Sequence, residues 1–255
     1  MPSPADYLEL LHRIADLTDP LALGRFRAHD LRVDTKRDQT LVTEADLAVE
    51  AAARAELARL HPELAVCGEE EGLDTDRGAG RLWIDPIDAT ANFVRGIPIF
   101  ATLLAVEREG EVIAGLVSAP ALGTRWSSAR GLGAFRNERR MQVSKVANLE
   151  SAQLFHGSLG GSETNLPPAL LEVLASSKRQ RGFGDFYQHV LVAEGAGEIA
   201  FDPGVQPWDV APLLVIVEEA GGRATSLAGE RTIYGKSFVT SNGHLHDVVL
   251  ARLMS

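Results

Sequence analysis

The stretch Trp83-Ile84-Asp85-Pro86-Ile87-Asp88-Ala89-Thr90 constrains this chain more than any other. Its apolar lead-in reads as a strand that stops abruptly in two carboxylates three residues apart, with a proline between them. A hydroxyl, Thr90, follows two residues after the second acid. Carboxylates seldom crowd at a strand end unless a cation holds them, because removing an unpaired charge from water is costly.

Three other acidic clusters also sit at the ends of expected elements, where loops converge. They lie at 36–46, at Gly68-Glu69-Glu70-Glu71, and at Trp208-Asp209. Singly, each acid has a local use. Asp46 fits the third helical position of a capping box opened by Thr43. Asp209 fits the N-cap of the helix after it. Residues 69–71 read as a solvated acidic loop, and Asp85 and Asp88 as turn residues around Pro86. Together they make a set of hard oxygen donors without paired histidines, which favours magnesium over zinc. Two such ions close together activate water and stabilise a leaving oxygen, the chemistry of phosphate-ester hydrolysis. A short helix starting near Ala89 would add N–H groups for an anion.

The bulk properties agree. The 255 residues carry a formal charge of −10, which argues against a nucleic-acid partner. One cysteine, Cys67, excludes an internal disulfide and a multi-cysteine metal site, and its place at the end of an apolar strand points to burial. Asp6, Glu9, Asp16 and Asp19 exclude an ordinary signal peptide, and no apolar run is long enough for a membrane span. The expectation is a soluble cytoplasmic protein with no membrane partner. His244-x-His246 lacks further ligands nearby and reads as surface or packing. Gly131-x-Gly133 lacks the Lys-Ser/Thr of a P-loop and reads as a turn.

The pattern predicts an α+β fold with a mainly antiparallel sheet. Helices are expected at 4–27, with a break near Pro20, and at 43–60, 167–178, 187–194 and 210–220. Strands are expected at 64–67, 81–85, 99–108, 111–119, 124–129, 152–156 and 198–201, with a Gly/Ser loop at 157–162. The pattern changes near residue 141. Residues 1–140 are expected to form an α+β subdomain with most of the acids, and 141–255 an α/β subdomain carrying Asp209 and the residues that select substrate.

Gly68-Glu69-Glu70, the stretch from Trp83 through Ala91-Asn92-Phe93, Trp208-Asp209 before an apolar helix and Gly221-Gly222 resemble the inositol monophosphatase superfamily. Val42-Thr43-Glu44-Ala45-Asp46 is similar to its N-terminal motif, and the match runs in order over essentially the whole chain. The resemblance implies a layered αβαβα fold, a homodimer, and a magnesium-dependent phosphomonoesterase with two or three ions per active site. It implies that Glu69, Asp85 and the Ile87 carbonyl hold one magnesium, and Asp85, Asp88 and Asp209 a second. It further implies that Thr90, hydrogen-bonded to Asp46, positions the attacking water and with Glu69 helps deprotonate it. Backbone N–H groups of Ala89 and Thr90 would bind the phosphate. Ala89 departs from the family's glycine; if its φ is positive, the alanine costs on the order of 1 kcal/mol.

Substrate choice falls to the second half. Asp202 stands seven residues before Asp209, where the inositol enzymes carry a glutamate that binds a sugar hydroxyl. Arg181-Gly182-Phe183-Gly184-Asp185-Phe186-Tyr187, Val192-Ala193-Glu194-Gly195 and Asn92-Phe93-Val94-Arg95-Gly96 resemble the bacterial histidinol-phosphate phosphatases of the superfamily. Histidinol phosphate carries an amine and an imidazole, which Asp185 or Asp202 could pair with. Arg181 joins these as an expected substrate contact. Inositol 1-phosphate ranks second, and nucleotide or sugar bisphosphates third, with 178–181 as their basic run. A non-catalytic homologue that binds a metabolite or protein has only Ala89 in its favour.

Overall fold

The computed structural model describes residues 2–37, 39–74, 80–159 and 169–253. Parts of the loop expected at 157–162, of the helix expected at 167–178 and of the loop at 74–80 lie outside them.

The chain opens with α1 (Pro4–Arg25), the hairpin strands β1 (Val33–Thr35) and β2 (Leu41–Thr43), and α2 (Glu44–Leu60). Next come β3 (Ala65–Gly68), β4 (Gly72–Leu73), β5 (Arg81–Asp88), α3 (Thr90–Val94), β6 (Ala101–Arg108), β7 (Glu111–Ala119), β8 (Thr124–Ala129), β9 (Gly133–Arg136) and β10 (Arg139–Arg140). These strands form one eight-stranded sheet in the order β10-β9-β8-β7-β6-β5-β3-β4, antiparallel except where β3 pairs with β5. The rest is β11 (Gln153–His156), α4 (Leu170–Ala175), β12 (Arg179–Gly182), α5 (Asp185–Ala193), β13 (Ile199–Asp202), α6 (Pro207–Glu219), β14 (Arg223–Thr225), β15 (Phe238–Ser241) and α7 (His246–Leu253). A second, mixed sheet has the order β12-β11-β13-β15-β14, with β12, β11 and β13 parallel.

The strands show why the layers stack. Along β6, Ala101, Leu103 and Ala105 enter a core with α5 and α6, while Leu104 and Val106 enter one with α1 and α2. Both faces of the sheet are therefore buried, and the strand reads as an unbroken apolar run. The second sheet packs Leu154, Ile199, Phe201 and Val239 against α4 and α7. The result is the expected αβαβα layering. Helix α6 lies in the middle layer, with every residue from Val210 to Val217 buried, so it is apolar on all sides. It rides closely on β7: a Cβ at Gly115 would lie 2.6 Å from Val215 Cγ1 and 2.8 Å from Pro212 Cα.

Several expectations are corrected. Helix α1 runs through Pro20 without a break; Thr18, two residues earlier, turns its hydroxyl back to the Ile14 carbonyl at 3.1 Å. Strand β5 continues past residue 85 to Asp88. Helix α5 begins at Asp185, two residues early, because Gly184 and Asp185 both have positive φ and turn the chain into it. Of the basic run at 178–181, residues 179–181 lie on β12. Helix α7 buries His246, Val249, Leu250 and Leu253, one face at helical spacing. No helix among the described residues is long and apolar enough to cross a membrane.

Candidate active site

In a regular strand, residues three apart face opposite sides of the sheet. Asp85 and Asp88 do not, because β5 carries a bulge. Asp85 pairs with Leu103 and Asp88 with Ala101, so three steps on β5 oppose two on β6. The extra residue restores the alternation: Trp83 packs in the α6 core, and Asp85 and Asp88 come to the same face. Ile84 and Ile87 face α1 and α2 instead. Pro86, which has no N–H to lose, falls within the bulge, and its carbonyl accepts from Thr102 Oγ1 at 2.9 Å.

Two helix starts deliver further acids by one device. Asp46 is the third residue of α2; its Oδ2 accepts from the Thr43 N–H at 2.8 Å and the Thr43 hydroxyl at 2.6 Å. Its other oxygen is left for the site, 3.5 Å from Thr90 Oγ1. Asp209 is the third residue of α6, not its N-cap, and its Oδ2 accepts from the Gln206 N–H at 2.7 Å. Each carboxylate caps a helix with one oxygen and presents the other. Ligand oxygens of Asp85, Asp88 and Asp209 lie within 4.8 Å of one another. Asp85 Oδ1 is buried with no hydrogen-bond partner. A buried, unpartnered carboxylate oxygen between two more carboxylates suits a hard divalent cation.

Thr90 opens α3, and its hydroxyl donates to the Ile87 carbonyl at 2.9 Å rather than to the more distant Asp46. Ala89, before it, has φ 64° and ψ 46°, the left-handed conformation. The alanine therefore occupies the backbone geometry that favours glycine. Lys36 bridges Glu69 and Glu70, at 2.7 Å to each. Burial works against its charge, but these two bonds outweigh burial and raise its pKa.

Glu69, Asp85, Ile87, Asp88, Ala89, Thr90 and Asp209 line a cleft of about 380 Å³, together with Asp185, Asp202, His189 and Gln39. Asp88 Oδ2 accepts from the Phe186 N–H at 2.7 Å, which ties the start of α5 to the acids. Burial first, and then the neighbouring carboxylates, push Asp85 and Asp88 well above the carboxylate range. Burial raises Asp209 to about 8, against the Gln206 N–H and with help from Glu69, Asp202 and Asp185. Asp202 rises to about 7, by burial and then the charge of Asp185. Burial lifts Asp46 and Asp185 to about 6. The cleft concentrates negative charge that a bound cation relieves.

The inositol monophosphatase family model matches residues 8–254. The chain belongs to that family. It is a phosphatase of the inositol monophosphatase family in an αβαβα fold. It is 48% identical to a histidinol-phosphatase of Mycobacterium tuberculosis, covering 97% of this chain and 98% of the relative. A fructose-1,6-bisphosphatase/inositol-1-monophosphatase of Thermotoga maritima is 36% identical over 86% of each chain. Among solved structures, the extragenic suppressor protein suhB of Bartonella henselae superposes with a TM-score of 0.89 at 29% identity, covering 97% of this chain and 98% of that one.

Within this family member the structure gathers Asp46, Glu69, Asp85, Ile87, Asp88, Ala89, Thr90, Asp185, Asp202 and Asp209 around one cleft. It does not bring Arg181 there. Arg181 lies on β12, an edge strand, is exposed, and donates to the Gln180 carbonyl at 2.8 Å. His189 was not legible as a cleft residue, although its spacing of four from Asp185 on α5 is the available signal. It is buried, its Nδ1 lies 2.8 Å from Thr240 Oγ1, and burial pushes its pKa down to about 3, so it is a neutral wall. His246 is also buried, against the hydroxyls of Ser241 and Thr225 at 2.8 Å, in the packing role expected of it.

Proposed function

We propose that the protein is a magnesium-dependent histidinol-phosphate phosphatase. On this reading it uses two or three ions per active site and acts in the cytoplasm as a homodimer. The observation that carries the reading is the division of one cleft into two acidic groups. Asp85, Asp88 and Asp209 converge around an unpartnered buried oxygen, and Asp185 and Asp202 add a second pair in the same cleft. The first group suits metal and phosphate. The second suits a cationic leaving group such as an amino alcohol, where charge-assisted hydrogen bonds favour an amine over a neutral polyol. The 48% identity to a histidinol-phosphatase supports the same choice.

Glu69, Asp85, the Ile87 carbonyl, Asp88 and Asp209 are the groups that would hold the ions. Bound magnesium supplies Lewis acidity toward the phosphoryl oxygens and lowers the pKa of water. The chain's own groups do the rest. Thr90 has committed its proton to the Ile87 carbonyl, so its oxygen is left to accept from the attacking water. Glu69 takes up the proton, and Asp46 Oδ1, 3.5 Å from Thr90 Oγ1, is the alternative acceptor for the threonine hydroxyl. The backbone N–H groups of Ala89 and of Thr90, the first residue of α3, would bind the phosphate. Asp185 and Asp202 hold the amine or imidazole of the leaving alcohol.

The test is phosphate release from histidinol phosphate, inositol 1-phosphate and adenosine 3′,5′-bisphosphate, with and without magnesium. The expected result is magnesium-dependent release with histidinol phosphate preferred. No release from any of them would end the enzymatic reading, and a preference for inositol 1-phosphate would overturn the choice of substrate.

A further inference from the structure

Glu50 lies one turn beyond Asp46 on α2 and is fully buried. A buried glutamate on a helix needs partners, and every partner of this one is a donor. Its Oε1 accepts from Arg54 Nε at 2.9 Å, Arg54 Nη2 at 2.7 Å and the Glu71 N–H at 3.0 Å. Its Oε2 accepts from the Glu70 N–H at 2.9 Å. The carboxylate lies flat against Gly68: a Cβ there would sit 2.1 Å from Oε1 and 2.7 Å from Oε2. The φ of Gly68 is not unusual, so the need for glycine is steric. Arg54 completes the clamp from the far side of the loop, donating to the Gly72 carbonyl at 2.7 Å and to Asp74 at 2.8 Å.

The clamped segment, 68–72, carries Glu69. The Glu69 N–H donates to the Ile84 carbonyl, one residue before Asp85, at 3.2 Å. Glu69 is thus fixed to β5 on one side, and its successors are fixed to α2 on the other. Helix α2 itself presents Asp46. Helix, strand and loop are locked in register by one buried carboxylate that faces no substrate.

We propose that Glu50 is a positioning residue that fixes the Glu69 loop for magnesium, through its bonds to the Glu70 and Glu71 N–H groups and to Arg54. This rests on the reading of Glu69 as a metal ligand. Glu50→Gln is the informative change, because an amide must turn its NH₂ toward at least one donor and so releases part of the loop. Outer partners that orient metal ligands typically affect affinity about 10- to 100-fold.

The experiment is calorimetric titration of the metal-free full chain with magnesium, alongside kcat and KM for histidinol phosphate at saturating magnesium and a thermal melt. Glu50→Gln is expected to raise the magnesium dissociation constant about tenfold. Its KM for substrate at saturating magnesium should stay near that of the wild type. Arg54→Lys, which keeps the charge but loses the forked contact, should weaken magnesium in the same direction and serves if Glu50→Gln does not fold. A lowered melting temperature with unchanged magnesium affinity would overturn the proposal and leave Glu50 a purely structural group. A wild-type chain that binds no magnesium would overturn the metal reading beneath it, and that outcome is visible before any variant is made.

Discussion

Replacing Ala89 with glycine tests the backbone at the centre of the site. At φ 64° and ψ 46° the alanine Cβ crowds the following carbonyl, at a cost of about 1–2 kcal/mol. Glycine removes that strain, but its greater freedom in the unfolded chain takes back about 0.4–1 kcal/mol. No hydrogen bond changes, because the Ala89 carbonyl still accepts from the Asn92 and Phe93 N–H groups at 2.9 and 3.1 Å. The net expectation is a gain of about 0.5–1 kcal/mol for Ala89→Gly, which at this chain length raises Tm by about 1–4 °C. The assay is thermal unfolding of the metal-free protein, with urea midpoints as a check. Ala89→Val is the opposing control, since a β-branched residue at positive φ is a true outlier and should lower Tm. A glycine variant that melts below the wild type would refute the strain argument. It would mean that the alanine methyl contributes more by packing than the backbone loses.

The buried acids set a pH dependence. Asp209 holds a proton up to about 8 in the fold but only to about 3.8 as an ordinary aspartate in the unfolded chain, so the metal-free protein loses stability as pH rises from about 4 through about 8. Asp202 and Asp46 add to the loss inside the same window. Melts in chelator across that range should fall with pH, and magnesium should reverse the fall; a rise in chelator would count against the mutual repulsion. Tyr234→Phe removes a hydroxyl lying 2.7 and 2.9 Å from the oxygens of buried Glu107, which keeps only the Trp83 indole at 2.8 Å among these partners. The expected loss is about 1–2 kcal/mol by urea unfolding, with turnover unchanged. Gly115→Ala pushes α6 off β7 and should cost about 1–3 kcal/mol by the same measurement.

What the sequence made legible follows from the range of the interactions involved. The capping box at Thr43 and Asp46 is a local pattern, and it holds in the structure because both partners lie within one turn. Gln206 and Asp209 form the same kind of pair, but glutamine is an uncommon cap, and the acid was placed at the helix edge instead. The shared face of Asp85 and Asp88 depends on a bulge against β6, where their partners are Leu103 and Ala101; spacing alone points the two acids apart. The conformation of Ala89 was left conditional, since side-chain type does not fix φ. Arg181 was expected as a substrate contact from its neighbourhood, but an edge strand keeps it at the surface. Glu50 carries no local signal, because what buries it is a loop twenty residues further along the chain.

The central claim is that Asp85, Asp88 and Asp209 hold the metal on which hydrolysis depends. Asp88→Asn tests it with one pair of readings: the shift in Tm on adding magnesium, and phosphate release from histidinol phosphate. The Phe186 N–H can still bond to the amide oxygen, so the fold should survive. Without magnesium the variant should melt above the wild type, because the cost of burying the Asp88 charge, and then its repulsion from Asp185 and Asp209, is removed. With magnesium it should gain little further stability and release no phosphate, while the wild type is stabilised and turns over. An Asp88→Asn protein that responds to magnesium and hydrolyses substrate like the wild type would contradict the account.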